Sequence, residues 1–335
     1  MTDRPHDRLS APSRRRPRSR LRVGGRHRAV PSLLSVVLGL LRLRTVGRHR
    51  RRALLLWTVP GLLLVLSVHY AAVIAGTWYA FTDWNGISTP HFIGLRNFQQ
   101  LFHDQGARTA FVNTVILAAA FVVLVNLFGL IFALALHRGV KTRNVLRSAF
   151  FAPVAMSPLA VSYIWQFIFA YDGALNGALR AIGLGSLRRA WLADPSTALW
   201  MIFVVMVWQF SGLMMMFYLA GLQGIPDELD EAAAVDGAGT LARVRTLTLP
   251  LLAPSVTVSM TFSAVLGLRV FDQVVALTNG GPAGATETLA TQVYEQTWIF
   301  GHFGYGDAFA LLMTLFVAIV ALGQLTILRY RERQL

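Results

Sequence analysis

The chain has no cysteine among its 335 residues and a single lysine, Lys141. The first absence removes disulfides, thiolate metal sites and cysteine nucleophiles together. The second removes the phosphate-binding loop G-x-x-x-x-G-K-[ST], whose lysine reaches the β- and γ-phosphates. Thr142 does follow Lys141, but Ala135 and Val140 occupy the two glycine places. The chain is therefore not an ATPase. Its eight histidines are scattered without ligand spacing, so no metal site is expected. No paired acids or His/Glu cluster lies at membrane depth, so no catalytic residue and no cofactor are expected either. No aromatic residue precedes Trp57, which leaves the basic N-terminal segment without a stacking platform and argues against a nucleic-acid partner.

What the chain has in abundance is apolar sequence. It is 55% hydrophobic and only 14% charged, with a mean hydropathy of +0.52, too apolar for a soluble domain of this length. Six stretches, at about 53–80, 110–136, 148–170, 197–220, 251–277 and 308–328, come near or above the roughly 20 residues that a helix needs to cross the hydrocarbon core. The predicted fold class is an all-α membrane protein with six transmembrane helices.

The net charge of +15 is mostly topology. Sixteen arginines precede residue 53, Arg138, Lys141, Arg143 and Arg147 separate the second and third stretches, Arg243 and Arg245 precede the fifth, and Arg329, Arg331 and Arg333 close the chain. Together these are 25 of the 31 basic residues, and none falls between about 278 and 306. The positive-inside rule then puts both termini and residues 221–250 in the cytoplasm, and the whole chain in the cell membrane. Residues 1–52 read as a basic, mostly disordered tail facing membrane lipid, 53–330 as the transmembrane domain, and 331–335 as a short cytoplasmic tail. Within the first segment, residues 32–41 (SLLSVVLGLL) are too short to span. They suit an interfacial helix better than a signal-peptide core, for want of a small-residue cleavage site.

One segment carries chemistry of a different kind. Leu222–Pro254 reads LQGIPDELDEAAAVDGAGTLARVRTLTLPLLAP. Pro226 suits a first helical position, and Asp227, Glu228, Asp230 and Glu231 complement the positive end of the macrodipole. Ala232, Ala233, Ala234 and Val235 continue as a small, close-packing surface until Asp236-Gly237 turns the chain. Thr240, Leu241, Val244 and Leu247 predict a second helix running to Pro250. Such an exposed, bent helix pair is either an ordinary polar connection or a peg for a groove in another protein.

The residues of this pair resemble a known family. Glu231-Ala232-Ala233, Asp236-Gly237-Ala238, then Leu249-Pro250-Leu251-Leu252 and Pro254 match the cytoplasmic "EAA" loop of binding-protein-dependent ABC importer permeases, with Val244 where many relatives have an aromatic residue. Phe92-Ile93-Gly94-Leu95-Arg96-Asn97-Phe98 with Asn113-Thr114, Phe271-Asp272, Leu277-Thr278, Gly280-Gly281-Pro282 and Phe303-Gly304-Tyr305 resemble the carbohydrate branch, similar to the maltose and glycerol-phosphate importers. The resemblance implies that Glu231, Ala232, Ala233, Asp236, Gly237, Ala238 and Pro250 couple the permease to an ATP-binding subunit dimer. It also implies a second permease subunit, an extracytoplasmic sugar-binding protein and a carbohydrate substrate moved by alternating access. Carried over from the family, the substrate-pathway positions are Gln209, Phe210 and Leu213 with Ser263, Leu266, Gly267 and Val270.

Charge inside the spans is rare. His69 is expected as a hydrogen-bonded helix contact, and Arg269 with Asp272, three apart on a helix, as a self-neutralising pair. The alternative class is an ion-coupled secondary transporter, which calls for inverted repeats and a midplane carboxylate, and neither is read here. A membrane-embedded enzyme lacks its catalytic groups.

Overall fold

A computed structural model describes residues 48–137, 142–332 and 334. The segment before residue 48, with its stretch 32–41, and Arg138, Lys141 and Arg333 lie outside the described residues. The chain divides into two units, 1–65 and 66–335; of the first, residues 48–65 are described and are helical throughout. Among the described residues there is no β-strand, only an isolated bridge between Thr82 and Phe92.

Helix α1 (Arg48–Tyr79) contains Pro60 and is exposed from Leu56 to Ala75. A helix apolar on all sides and open along its length is suited to lipid. Helices α2 (Arg96–His103), α3 (Gln105–His137), α4 (Arg143–Ala155), α5 (Pro158–Phe169), α6 (Ala174–Ala181) and α7 (Pro195–Leu222) follow. Next come α8 (Asp227–Val235), α9 (Thr240–Arg243), α10 (Ala253–Leu268), α11 (Asp272–Leu277), α12 (Leu289–Tyr294) and α13 (Phe303–Glu332). Four helices, Leu56–Tyr79, Gln105–His137, Pro195–Leu222 and Phe303–Glu332, are long and apolar enough to cross a membrane. Two bent pairs, Arg143–Ala155 with Pro158–Ala181 and Thr240–Leu251 with Ala253–Leu268, make six if each is one span.

Both bends have local causes. Pro158 forces the residue before it, Ser157 (ψ 134°), out of helical geometry, Met156 (ψ 147°) is extended as well, and the third stretch turns by 98°. The fifth stretch bends by 72° around Leu252, flanked by Pro250 and Pro254. It is also not helical through to residue 277. It stops at Leu268, where amides of Arg269 and Val270 bond three residues back, and Thr288 Oγ1 donates to the Val270 carbonyl at 3.1 Å.

The core lies where α3 runs along α7 and α10. Leu117, Phe121 and Val125 of α3 meet Ile202, Met206, Met214 and Met215 of α7 in one buried cluster. Close approach is possible because Gly212 has no side chain: a Cβ there would collide with the Phe150 carbonyl of α4. At the start of α7, Asp194 Oδ1 accepts from the hydroxyl and the amide of Ser196, at 2.7 and 2.9 Å. Those bonds hold its carboxyl below the usual range, and Pro195 takes the first turn, so the helix has a defined beginning.

Candidate functional site

The acidic segment forms the expected helix pair, one residue displaced. Pro226 (φ −61°, ψ 136°) is the cap rather than the first helical residue, and Asp227 opens α8, with Glu228 and Asp230 also in the first turn. The far end is closed by paired backbone bonds: the Ala238 amide to the Ala233 carbonyl at 3.0 Å, and the Gly237 amide to that of Ala234 at 3.1 Å. That arrangement requires a left-handed residue, and Gly237 (φ +81°) is it. Helix α9 continues into a wider turn over Val244–Thr248, where the Leu249 amide reaches back five residues to Val244. The widening makes room for the Pro250 ring, which would otherwise crowd the carbonyl four residues before it.

An ion pair ties the two helices: Arg243 Nη1 donates to Asp230 Oδ2 at 2.9 Å. Glu231, Ala232, Asp236 and Gly237 are exposed around it, while Ala233, Ala238 and Pro250 are half-buried. The most open apolar side chains of the pair are Val235 (88%) and Leu241 (81%). Apolar groups that open beside an acidic helix start form a docking tip in the physical sense, with burial still to gain.

On the opposite, arginine-poor side, the motif asparagines hold loops. Asn97 Nδ2 donates to the carbonyls of Ala80 (2.9 Å) and Thr82 (2.8 Å), fixing the chain as it leaves α1. Asn113 Nδ2 does the same for Ala285 (3.0 Å) and Glu287 (2.9 Å), and Thr114 Oγ1 accepts from the Leu289 amide at 3.0 Å. Residues about 170 apart in sequence are thereby joined. Thr278 Oγ1 lies 2.7 Å from Thr286 Oγ1, which donates to the Gly281 carbonyl at 2.6 Å, so the TNGGP turn is closed from within. Burial pushes the Glu287 carboxyl above its ordinary range, helped by Glu295 and Asp104 and opposed by the Gln292 amide that donates to it. Burial raises Glu295 as well.

Between the two faces lies a polar node centred on Asn126, of which the sequence singles out only Ser263, as a pathway position. Asn126 of α3 donates Nδ2 to Ser263 Oγ (2.8 Å) of α10, and its Oδ1 accepts from Tyr218 (2.8 Å) of α7 and Ser259 (2.6 Å) of α10. All four side chains are buried. The available signal was a lone amide in the apolar run VVLVNLFGL, a residue type that seeks a partner inside a membrane.

The carried-over pathway positions separate by burial. Gln209, Ser263, Gly267 and Val270 are buried, whereas Phe210, Leu213 and Leu266 are half-buried. Gln209 Nε2 donates to the Met156 carbonyl at 3.4 Å, at the break between α4 and α5, and its Oε1 accepts from Gln273 at 3.1 Å. Gly267 packs against Ala118 of α3. His69 is exposed on α1. Arg269 and Asp272 are not on one helix, because α10 ends at Leu268 and α11 begins at Asp272, and no ion pair joins them among the described residues.

Comparison with known proteins agrees with this architecture. Residues 125–334 match the family described as "Binding-protein-dependent transport system inner membrane component". The chain is 34% identical over 260 residues to the "Probable starch degradation products transport system permease protein AmyD" of Thermoanaerobacterium thermosulfurigenes, covering 77% of this chain and 88% of that one. It is 33% identical over 265 residues to the "Multiple sugar-binding transport system permease protein MsmF" of Streptococcus mutans, covering 78% and 91%. A chain of the crystal structure of a bacterial alginate ABC transporter, in complex with an alginate pentasaccharide-bound periplasmic protein, shares the fold with a TM-score of 0.72 at 22% identity, over 85% of this chain and 96% of that one. With its membrane-length helices, its helix pair and these relatives, the chain belongs to the inner membrane components of binding-protein-dependent transport systems, the multi-pass permease subunits of ABC importers, whose ATP hydrolysis resides in a separate subunit.

Proposed function

We propose that this permease moves a carbohydrate inward by alternating access, and that the α8–α9 pair is the element through which an ATP-binding subunit dimer drives it. The observation that carries the reading is the tip itself. Its fold is fixed by the Gly237 closure and the Asp230–Arg243 pair, while Glu231, Val235 and Leu241 are left exposed. An element ordered from within and open at its apolar tip is prepared for a rigid partner. Relatives support the substrate class, since AmyD, MsmF and the trehalose/maltose permease MalF of Thermococcus litoralis are named for the transport of starch degradation products, multiple sugars and trehalose/maltose.

In this reading the tip and both termini are cytoplasmic, the loops 82–108, 171–196 and 278–306 are external, and an extracytoplasmic sugar-binding protein delivers the substrate there. A second permease completes the pathway, because six helices enclose only half of one. Residues 222–254 form the coupling element of a translocating domain over 53–330. Reconstitution in proteoliposomes with the ATP-binding and binding-protein subunits tests this. Sugar uptake should require ATP hydrolysis, and uptake driven by an imposed ion gradient without the ATPase would return the chain to the ion-coupled class.

A further inference from the structure

We propose that Arg269 is a substrate-contacting residue of the translocation pathway, donating from its guanidinium to oxygen atoms of the passing carbohydrate. The inference rests on the carbohydrate reading above and adds a residue that the carried-over positions do not include.

The argument starts from burial. Where half a pathway is supplied by each of two permeases, its wall must be a surface of the single subunit, open until the second arrives. Ser263, Gly267 and Val270 face into this subunit's own core, with Ser263 bonded to Asn126 and Gly267 against Ala118. The other side of α10 carries Val258 and Phe262, both exposed and four residues apart, and Arg269, also exposed, follows the last helical residue as its cap. Phe262 sits edge-on to Phe217 of α7 at 5.5 Å, while Phe210 turns its ring edge-on to the buried Phe121 of α3 at 6.0 Å. Phe262 and Phe217 form one aromatic pair, and the ring that lines a cavity together with Arg269 is Phe271. Ring faces for the apolar side of a sugar and a few placed donors for its oxygens are what such a site requires.

Arg269 is the unusual member. It lines a cavity of about 580 Å³ whose far wall is the membrane-depth part of α13, Ala310, Thr314, Ala318 and Ala321 among others. No acid within ion-pair distance balances it among the described residues. The cation is therefore held at the end of α10, in a cavity that Phe271, Met313 and Thr314 line together with several alanines. A charged group at membrane depth faces water, a ligand or another chain. The guanidinium offers five donors in a planar fork, which suits either vicinal hydroxyls or a carboxylate.

The test uses the assembled transporter in cells, with radiolabelled neutral disaccharides (maltose, trehalose) and a uronic-acid disaccharide as probes, comparing wild type with R269A and R269K. The expected result is an uptake KM raised roughly tenfold or more in R269A, partly restored in R269K, with the complex recovered at wild-type yield. A loss confined to the uronate identifies a carboxylate as the bound group, and an equal loss on all probes identifies hydroxyls. An unchanged KM in R269A overturns the assignment. So does poor recovery of the complex with normal uptake per complex, which makes Arg269 a contact to the second permease. Wild-type uptake of none of the probes is a different failure, since it overturns the carbohydrate reading itself.

Discussion

Arg243 reaches across the turn at the tip of the permease to Asp230, Nη1 to Oδ2 at 2.9 Å, with both side chains 23% exposed. The pair joins α8 to α9 without using any of the exposed docking groups. Arg243→Ala is expected to cost about 1 kcal/mol in the order of the helix pair, which corresponds to roughly a fivefold loss of coupled transport. Restoration by the double reversal Asp230→Arg/Arg243→Asp checks that the bond matters, because a role for either charge alone would leave the reversal as defective as the single changes.

Gly237 gives a test of backbone rather than of contact. Nothing lies within 4 Å of a Cβ placed there, so the cost of a side chain is the left-handed φ of +81° itself. Gly237→Val should lose about 1–2 kcal/mol from the closure of α8, and Gly237→Asn clearly less, since asparagine tolerates that region. Copurification of the ATP-binding subunit should fall in the order Gly, Asn, Val. Equal recovery across the three variants would make the loop a plain connection.

The node around Asn126 predicts a stability effect inside the membrane. Asn126→Leu removes the amide that joins the three helices and leaves the Tyr218 hydroxyl without its partner, while Ser259 keeps Met214 Sδ and Ser263 keeps the Met260 carbonyl. A loss of about 1–2 kcal/mol is expected, read as a lower thermal midpoint in detergent. Adding Tyr218→Phe to Asn126→Leu should cost little more, because the hydroxyl already lacks its partner; full additivity would show that the bond between them contributes nothing.

Gln209 is bonded to the Met156 carbonyl and to Gln273, so it bridges α7 to the broken third span and to α11. Gln209→Leu should therefore give a less stable complex whose surviving fraction takes up sugar at the normal rate. If uptake per assembled complex fell while assembly stayed normal, Gln209 would serve the substrate directly.

In the loop that carries Glu287 the sign of the pH effect follows from burial. The Glu287 carboxyl is raised, so its protonated form suits the fold, and that contribution is complete below the ordinary glutamate range and lost as pH rises through the raised value. Glu287→Gln, neutral at every pH, should raise the thermal midpoint at neutral pH and leave it nearly unchanged at acid pH. A variant less stable than wild type at neutral pH would contradict this.

Much of this architecture is readable from apolar length and charge asymmetry, because a bilayer imposes both. The bends are less so: Pro153 and Pro158 stand in plain view within 148–170, but a window average sees only hydrophobicity, and the 98° turn at Met156–Ser157 is a local steric event. Asp236-Gly237 was legible because a helix end has few chemical solutions. Asn126 was not, because its partners come from residues 218, 259 and 263 on other helices, and no spacing rule links them. The pairing expected of Arg269 and Asp272 failed for a similar reason, since it assumed a helix that the chain abandons at Leu268.

The central claim, that this permease is driven through the α8–α9 tip by a separate cytoplasmic ATPase, is tested most directly by one crosslinking measurement. The chain has no cysteine of its own, so a single Val235→Cys, at the most exposed apolar side chain of the pair, reports from that point alone. In the assembled transporter a short thiol-to-amine crosslinker should join the introduced thiol to the ATP-binding subunit and abolish sugar uptake, and the same thiol should be closed to membrane-impermeant reagents added outside intact cells. Labelling of that thiol from outside, with no crosslink to the ATP-binding subunit, would contradict the account.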